Sequence, residues 1–343
     1  MVQSICLGFL TLLMLLAMTP AAKAQILTGP WVQQQDQRIE EHRKGNFRII
    51  VLDAQGKPVP LAQVHLAMQR HDFHWGVRID NSVFQNTQPD SALQKLWPIF
   101  NSVSIEESAQ RVQLDAKQEL QDWQLIDALL GWSQQRGLSV RWGSVISSDL
   151  SRLPAWASQE NPTKLMEAID AHIQDLPGRL RSPLMQWDVL TGLPDQQFLQ
   201  QRLGPGLVRR LFASAQARSP QTPRYIRFND TLSGPRLTQM VQTISDLRDA
   251  QVPFSGITLD FKLGGSVAYV SLEQSLEWIS RLGVPVSIAN LEVGGPTPAA
   301  AAINLETTLR TLYSYPCIQG VWFNGLSSDQ VIDPSSAFID ELQ

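Results

Sequence analysis

The chain has 343 residues, 43% of them hydrophobic and 17% charged, enough apolar surface for a large core and too much for a disordered chain. The formal net charge of −4, with both signs mixed along the chain, supplies no basic field to neutralise phosphates, so nucleic acid is not an expected partner. A neutral or weakly charged ligand suits this balance better.

The amino terminus carries an apolar run from Ile5 to Met18, then Pro20 and the small-residue site Ala22-Lys23-Ala24 before Gln25. This is the pattern of a cleavable signal peptide over residues 1–24, although Met1 to Ser4 hold no Lys or Arg. The run is too short for a bilayer core of roughly 30 Å, and no later stretch is long enough to span one. The expected location is therefore secreted or periplasmic. Cys6 leaves with the signal, and Cys317 alone cannot form an intramolecular disulfide. It opens an apolar strand and reads as a buried structural thiol.

After a polar stretch from Gln33 to Lys44, Phe47 to Asp53 alternates, turns at Ala54 to Pro58, and is followed by Ala62 to Met68. The two alternating runs predict a β-hairpin, an accessory region within residues 25–70. From residue 71 onward, short apolar runs alternate with helical patterns, the mark of βαβ units. Strands are predicted at Phe73 to Ile79, Phe100 to Ile105, Leu138 to Ile146, Leu184 to Leu190, Tyr225 to Asn229, Gly256 to Phe261, Val284 to Leu291 and Ile318 to Phe323. Amphipathic helices are predicted at Leu120 to Gln135, Leu165 to Ile173, Leu207 to Ala217, Leu237 to Ala250, Leu272 to Leu282 and Ala300 to Tyr313, with a short last one after Asp333-Pro334-Ser335-Ser336. Eight strands close a TIM (β/α)8 barrel over residues 71–343. A doubly wound sheet is the alternative, but no glycine-rich phosphate loop follows any strand.

Working residues of such a barrel lie at the carboxyl ends of its strands. There the sequence offers Glu106 and Glu107, Arg141 and Trp142, Trp187 and Asp188, Thr191, Asn229 and Asp230, Asp260 and Lys262, Asn290 and Glu292, and Asn324. The arginine, tryptophans, amides, Asp188 and Lys262 in this set are the candidate ligand-binding residues. Trp142 and Trp187 suit either stacking on sugar faces or filling the barrel. His71 and His74, three apart on a strand, point to opposite faces and make an improbable metal site. No metal or cofactor is expected. Gly264-Gly265 and Gly294-Gly295 read as mobile loops or as ordinary turns.

His71-Asp72-Phe73-His74-Trp75-Gly76, Phe100-Asn101, Trp187-Asp188-Val189, Phe228-Asn229-Asp230, Gly256-Ile257 and Gly320-Val321 together resemble family 10 glycoside hydrolases, the xylanase family. The resemblance covers nearly the whole chain after the signal. It also implies what is missing. The family's fourth strand ends in Trp-Asp-Val-x-Asn-Glu, whose Glu is the general acid; here Trp187-Asp188-Val189-Leu190-Thr191-Gly192 places a glycine there. The family's seventh-strand nucleophile falls at Asn290. Arg141-Trp142-Gly143, Glu106 to Arg111, Asp260-Phe261-Lys262 and Asn324-Gly325 depart from the family's remaining runs in the same way.

Retaining hydrolysis needs a nucleophilic carboxylate and a protonated one about 5 to 5.5 Å apart. Gly192 has no proton to give, and the Asn290 amide carries no charge for attack. No catalytic residue is therefore expected at either family position. The first reading is a pseudoenzyme that binds a polysaccharide or a protein partner at the old cleft. The second is an active hydrolase on a β-glycan such as xylan, with Glu292 paired to Asp260, Glu106 or Glu107. A third is a purely structural envelope protein. The bland expectation for the acids is an internal ion-pair network with Lys262 and Arg141.

Overall fold

Apolar runs of four to ten residues bounded by turns become strands wherever both of their faces are covered, and here they assemble into one closed parallel sheet. The computed structural model describes residues 30–84, 92–106, 119–179, 184–229, 234–263, 269–326 and 337. Its strands are β1 (His74–Ile79), β2 (Ser102–Ile105), β3 (Ser139–Trp142), β4 (Ile146–Ser147), β5 (Leu184–Leu193), β6 (Arg224–Phe228), β7 (Gly256–Leu263), β8 (Val286–Val293) and β9 (Ile318–Phe323). They neighbour one another in the order β3-β2-β1-β9-β8-β7-β6-β5-β4, and β3 also pairs with β5, which shuts the ring. Every one of these pairings is parallel. The third predicted strand is interrupted at Gly143 to Val145, so β3 and β4 share one stave and the barrel has eight. This is the TIM (β/α)8 fold.

The helices α1 (Pro30–Arg43), α2 (Ala92–Leu96), α3 (Glu119–Gln135), α4 (Pro162–Arg179), α5 (Phe198–Leu203), α6 (Leu207–Arg218), α7 (Gly234–Asp249), α8 (Tyr269–Ser280) and α9 (Pro298–Ser314) separate or precede the strands. Their buried residues follow helical spacing, as in Ile126, Leu129 and Leu130 of α3 and in Leu207, Val208, Leu211, Phe212 and Ala215 of α6. The polar stretch beginning at Gln33 lies within α1, which the sequence pattern did not predict. The signal region and the predicted helix after Ser336 lie outside the described residues.

The chain divides into two compact units, one of residues 1–63 and 310–316, the other of residues 64–309 and 317–343. In the first, Gln35 donates to Thr311 Oγ1 at 2.8 Å, and Arg43 donates to the carbonyls of Tyr313 and Tyr315 at 2.8 and 2.6 Å. Arg38 lies over the Tyr315 ring at 4.5 Å. The predicted hairpin between Phe47–Val51 and Val64–Met68 is not formed. A tighter turn takes its place: Asp53 Oδ1 accepts from the backbone N–H groups of Gln55 and Lys57, and Val59 N–H donates to Val51 O at 2.9 Å. A single antiparallel bridge, Leu52 to Pro58, results. The ladder stops there because Pro60 has no N–H to give and Leu61 turns left-handed at φ 57°.

The second unit holds the barrel and every residue considered below.

Candidate functional site

Period-two alternation decides which side chains enter the barrel. Ser104, Arg141, Gln186, Asp188, Thr258 and Ser287 are buried and join in one hydrogen-bonded interior layer. Arg141 donates to Ser104 Oγ and to Glu106 Oε1, each at 2.7 Å, and pairs with Asp188. Asp188 Oδ1 accepts from Gln186 Nε2 at 2.9 Å and from Thr258 Oγ1 at 2.8 Å, and Ser287 Oγ donates to Gln186 Oε1 at 2.7 Å. Because residues 141 and 188 point inward, Trp142 and Trp187, their chain neighbours and partners in register, point outward beneath the helices. Each ring is only 1% exposed. Both therefore pack on the outer side of the sheet, neither filling the barrel interior nor presenting a face at the mouth.

Above this layer sits Arg227, which the sequence analysis did not single out. Its guanidinium donates to Glu106 Oε2 at 3.0 Å on one side and to Asp260 Oδ1 at 3.0 and 2.6 Å on the other. The sequence signal was an arginine inside the apolar run Tyr225-Ile226-Arg227-Phe228, two residues before Asn229 and hence on the same face. Asn290 completes the ring: with its amide turned to the orientation that satisfies both neighbours, its nitrogen donates to Glu106 Oε2 at 3.1 Å and its oxygen accepts from Arg227 Nη2 at 2.5 Å. An amide suits this place because it can donate to the carboxylate and accept from the guanidinium at once. Asn290 holds this place with a left-handed backbone, φ 49°, where the pairings of β8 with both neighbours shift register.

Burial alone would raise the Glu106 pKa, but Arg227 and Arg141 outweigh it and hold the carboxyl well below the usual carboxylate range. Asp260 goes the other way, its pKa raised first by burial and then by the nearby Glu106 charge, against the pull of Arg227. Burial and Asp188 push the Tyr225 phenol up to about 12. Arg227 stays charged, since Asp260, Glu106 and Asp188 overcome its own burial and raise its pKa.

Glu292 belongs to a separate group at the rim. It accepts from Asn324 Nδ2 and lies 3.9 Å from Lys262 Nζ. The Asn324 carbonyl in turn accepts from Arg78 Nε at 2.8 Å. The Lys262 side chain is 44% exposed and that of Asp260 16%, whereas Arg141 and Asp188 are fully buried. Asn229 is half-buried, its Oδ1 3.4 Å from Thr191 Oγ1. Arg141 thus lies in a network with Glu106 and Asp188 whose central cation is Arg227, while Lys262 lies beside Glu292 at the rim.

Glycine fixes two further features. A Cβ at Gly143 would lie 2.6 Å from Glu106 Cγ, so the lack of a side chain at 143 makes room for Glu106. Gly192 adopts φ 104°, a conformation strained for any side chain, and a Cβ there would meet Gln196 Cβ at 3.0 Å. His71 Nδ1 accepts from Phe73 N–H at 2.9 Å and His74 stacks on Trp322, so both histidines serve local structure. Among the described residues no group of three or more His, Cys, Asp and Glu is placed to hold a metal ion. Glu107, Asp230 and Gly264-Gly265 lie outside the described residues.

Fold and mouth together define a parallel barrel with a polar cluster at the strand ends, the class in which ligands are handled at that face. The glycosyl hydrolase family 10 model matches residues 64–332, and the chain belongs to that family. Among curated relatives, the anti-sigma-I factor RsgI6 of Acetivibrio thermocellus is 24% identical over 291 residues, covering 85% of this chain and 38% of the relative. Endo-1,4-beta-xylanase 5 of Arabidopsis thaliana is 20% identical over 303 residues, covering 85% and 52%. The chain thus spans about half or less of the length of these relatives. Xylanase 10B of Thermotoga petrophila, solved with xylobiose, superposes with a TM-score of 0.69 at 14% identity, covering 79% of this chain and 90% of that one. A thermostable mutant of Xyn10A from Cellvibrio japonicus gives 0.67 at 17%, covering 79% and 94%. At these identities the likeness is one of fold.

Proposed function

We propose that this chain is an exported, non-catalytic family 10 barrel that binds a polysaccharide, or a protein partner, at the former substrate cleft. The observation that carries the reading is the state of the carboxylates inside the barrel mouth. Glu106, Asp188 and Asp260 are each committed to an arginine, and Asn290 is itself a cross-link in that network. An acid already neutralised by a guanidinium has neither the free charge of a nucleophile nor, in the case of Glu106, a proton to donate at neutral pH.

Relocated catalysis through Glu292 finds less support. Its Oε1 accepts from Asn324 Nδ2 and lies 3.9 Å from Lys262 Nζ, and its candidate partners Asp260 and Glu106 are bound by Arg227. A relative named as an anti-sigma factor favours a family barrel used for binding, and the xylobiose complex of a structural neighbour favours a xylo-oligosaccharide as the first ligand to try. Export rests on the amino-terminal signal pattern. Among the described residues no helix is long and apolar enough to cross a membrane.

The test is calorimetry of the purified protein with xylo-, cello- and manno-oligosaccharides at millimolar ligand. Saturable heat with one class is expected. Absence of heat with all three removes the glycan reading and leaves the protein partner, to be sought by co-purification with the native host's envelope fraction.

A further inference from the structure

Arg227 raises a question the family framework does not answer: why a barrel mouth should spend its centre on an arginine. Its side chain is 4% exposed and stretches between Glu106 on β2 and Asp260 on β7. Nη2 lies 2.5 Å from the oxygen of Asn290, at the position where the resemblance puts the nucleophile. A reacting sugar carbon would have to come within roughly 3 to 3.5 Å of that same position. The guanidinium already fills this space.

We infer that Arg227 is an internal plug, so that a ligand at this mouth rests on the rim of Asp260, Asn290 and Lys262 and does not enter the barrel. The inference deepens the binding reading and rests on it for the ligand. Charge gives it force. A neutral sugar that displaced the guanidinium would take from Asp260 its arginine and leave Glu106 with Arg141 alone, and a buried charge without its partner is strongly disfavoured. Only a ligand that brought its own cation would replace the arginine on equal terms. The planar, five-donor fork also matches two carboxylates in a way that a lysine ammonium does not.

Two measurements test the plug. Selective 15N-arginine NMR of the intact protein reads the Arg227 Nε–H directly: slow solvent exchange is expected, unchanged when xylotetraose is added. Fast exchange in the free protein, or its onset with ligand, overturns the inference. In the second, Arg227→Ala is melted with and without about 10 mM guanidinium chloride. The ion is expected to refill the slot and raise Tm by about 2 °C relative to its effect on the wild type. Equal response of both proteins overturns the plug, and if Arg227→Ala does not fold the NMR result decides alone. Should no oligosaccharide bind the wild type, the glycan reading fails while exchange in the free protein still judges the plug.

Discussion

The two ionic clusters of this barrel differ in depth, and the difference teaches what each is for. The Arg141–Asp188–Glu106 group is sealed inside and hydrogen-bonded on nearly every side, while the Lys262–Glu292 pair stands at the rim with a half-exposed lysine. A buried charge is tolerated only when paired, so the inner group behaves as one structural unit. In the rim pair only the lysine is substantially exposed, so at a separation of 3.9 Å it is the Lys262 ammonium that can turn to a ligand.

Breaking the inner group should have the largest effect. Arg141→Leu leaves Asp188 and Glu106 each short of a cation, and a loss of about 3–5 kcal/mol is expected in chemical denaturation. A loss below about 1 kcal/mol would show that the network is not the keystone of the barrel.

Glu106→Gln should come next, at about 3 kcal/mol near neutral pH. Its pH dependence sharpens the comparison. The folded pKa of Glu106 lies below its unfolded value, so the stability it contributes is fully present above about pH 4.3, the unfolded value, and drains away as pH falls toward the folded pKa. The gap between wild type and Glu106→Gln should therefore be constant from pH 8 to 5 and close below 4. A gap that widens in acid would reverse the assigned shift.

Gly192→Ala should cost about 1–2 kcal/mol, from the left-handed backbone that a Cβ resists. For the same reason Gly192→Glu with Asn290→Glu should produce a less stable protein and no xylanase. Lys262→Ala should change stability by no more than about 1 kcal/mol and act, if the rim binds ligand, on oligosaccharide affinity. Stability unchanged in Lys262→Ala but lost in Arg141→Leu is the contrast the two clusters predict.

Most of the barrel was legible in the sequence because short, largely apolar runs alternate with helical patterns, even though buried polar residues such as Ser104, Arg141 and Asp188 interrupt those runs on the inner face. The inner network was legible in part. Arg141, Asp188 and Glu106 stood out as charges at strand ends, while Arg227 was hidden by the apolar residues around it. Alternation, applied across neighbours and not only within a strand, would have turned Trp142 and Trp187 away from the mouth as soon as Arg141 and Asp188 were placed inside. The hairpin at Phe47 to Met68 failed for a different reason. A strand pattern states which faces are apolar but not which partner supplies the ladder, and Asp53 with Pro60 settled that locally. The backbone twist at Asn290 has no sequence signal beyond the tolerance of asparagine for a left-handed φ.

The central claim is that the acids of this mouth, Glu106, Asp188 and Asp260 paired with arginines and Glu292 held by Asn324 beside Lys262, do not cut glycosidic bonds. It is tested most directly by incubating the purified protein with xylan, mixed-linkage glucan and mannan and following reducing ends over a day. Release at the level of a protein-free control is the expected result. Turnover above that control, lost in Asp260→Asn or Glu292→Gln, would contradict it.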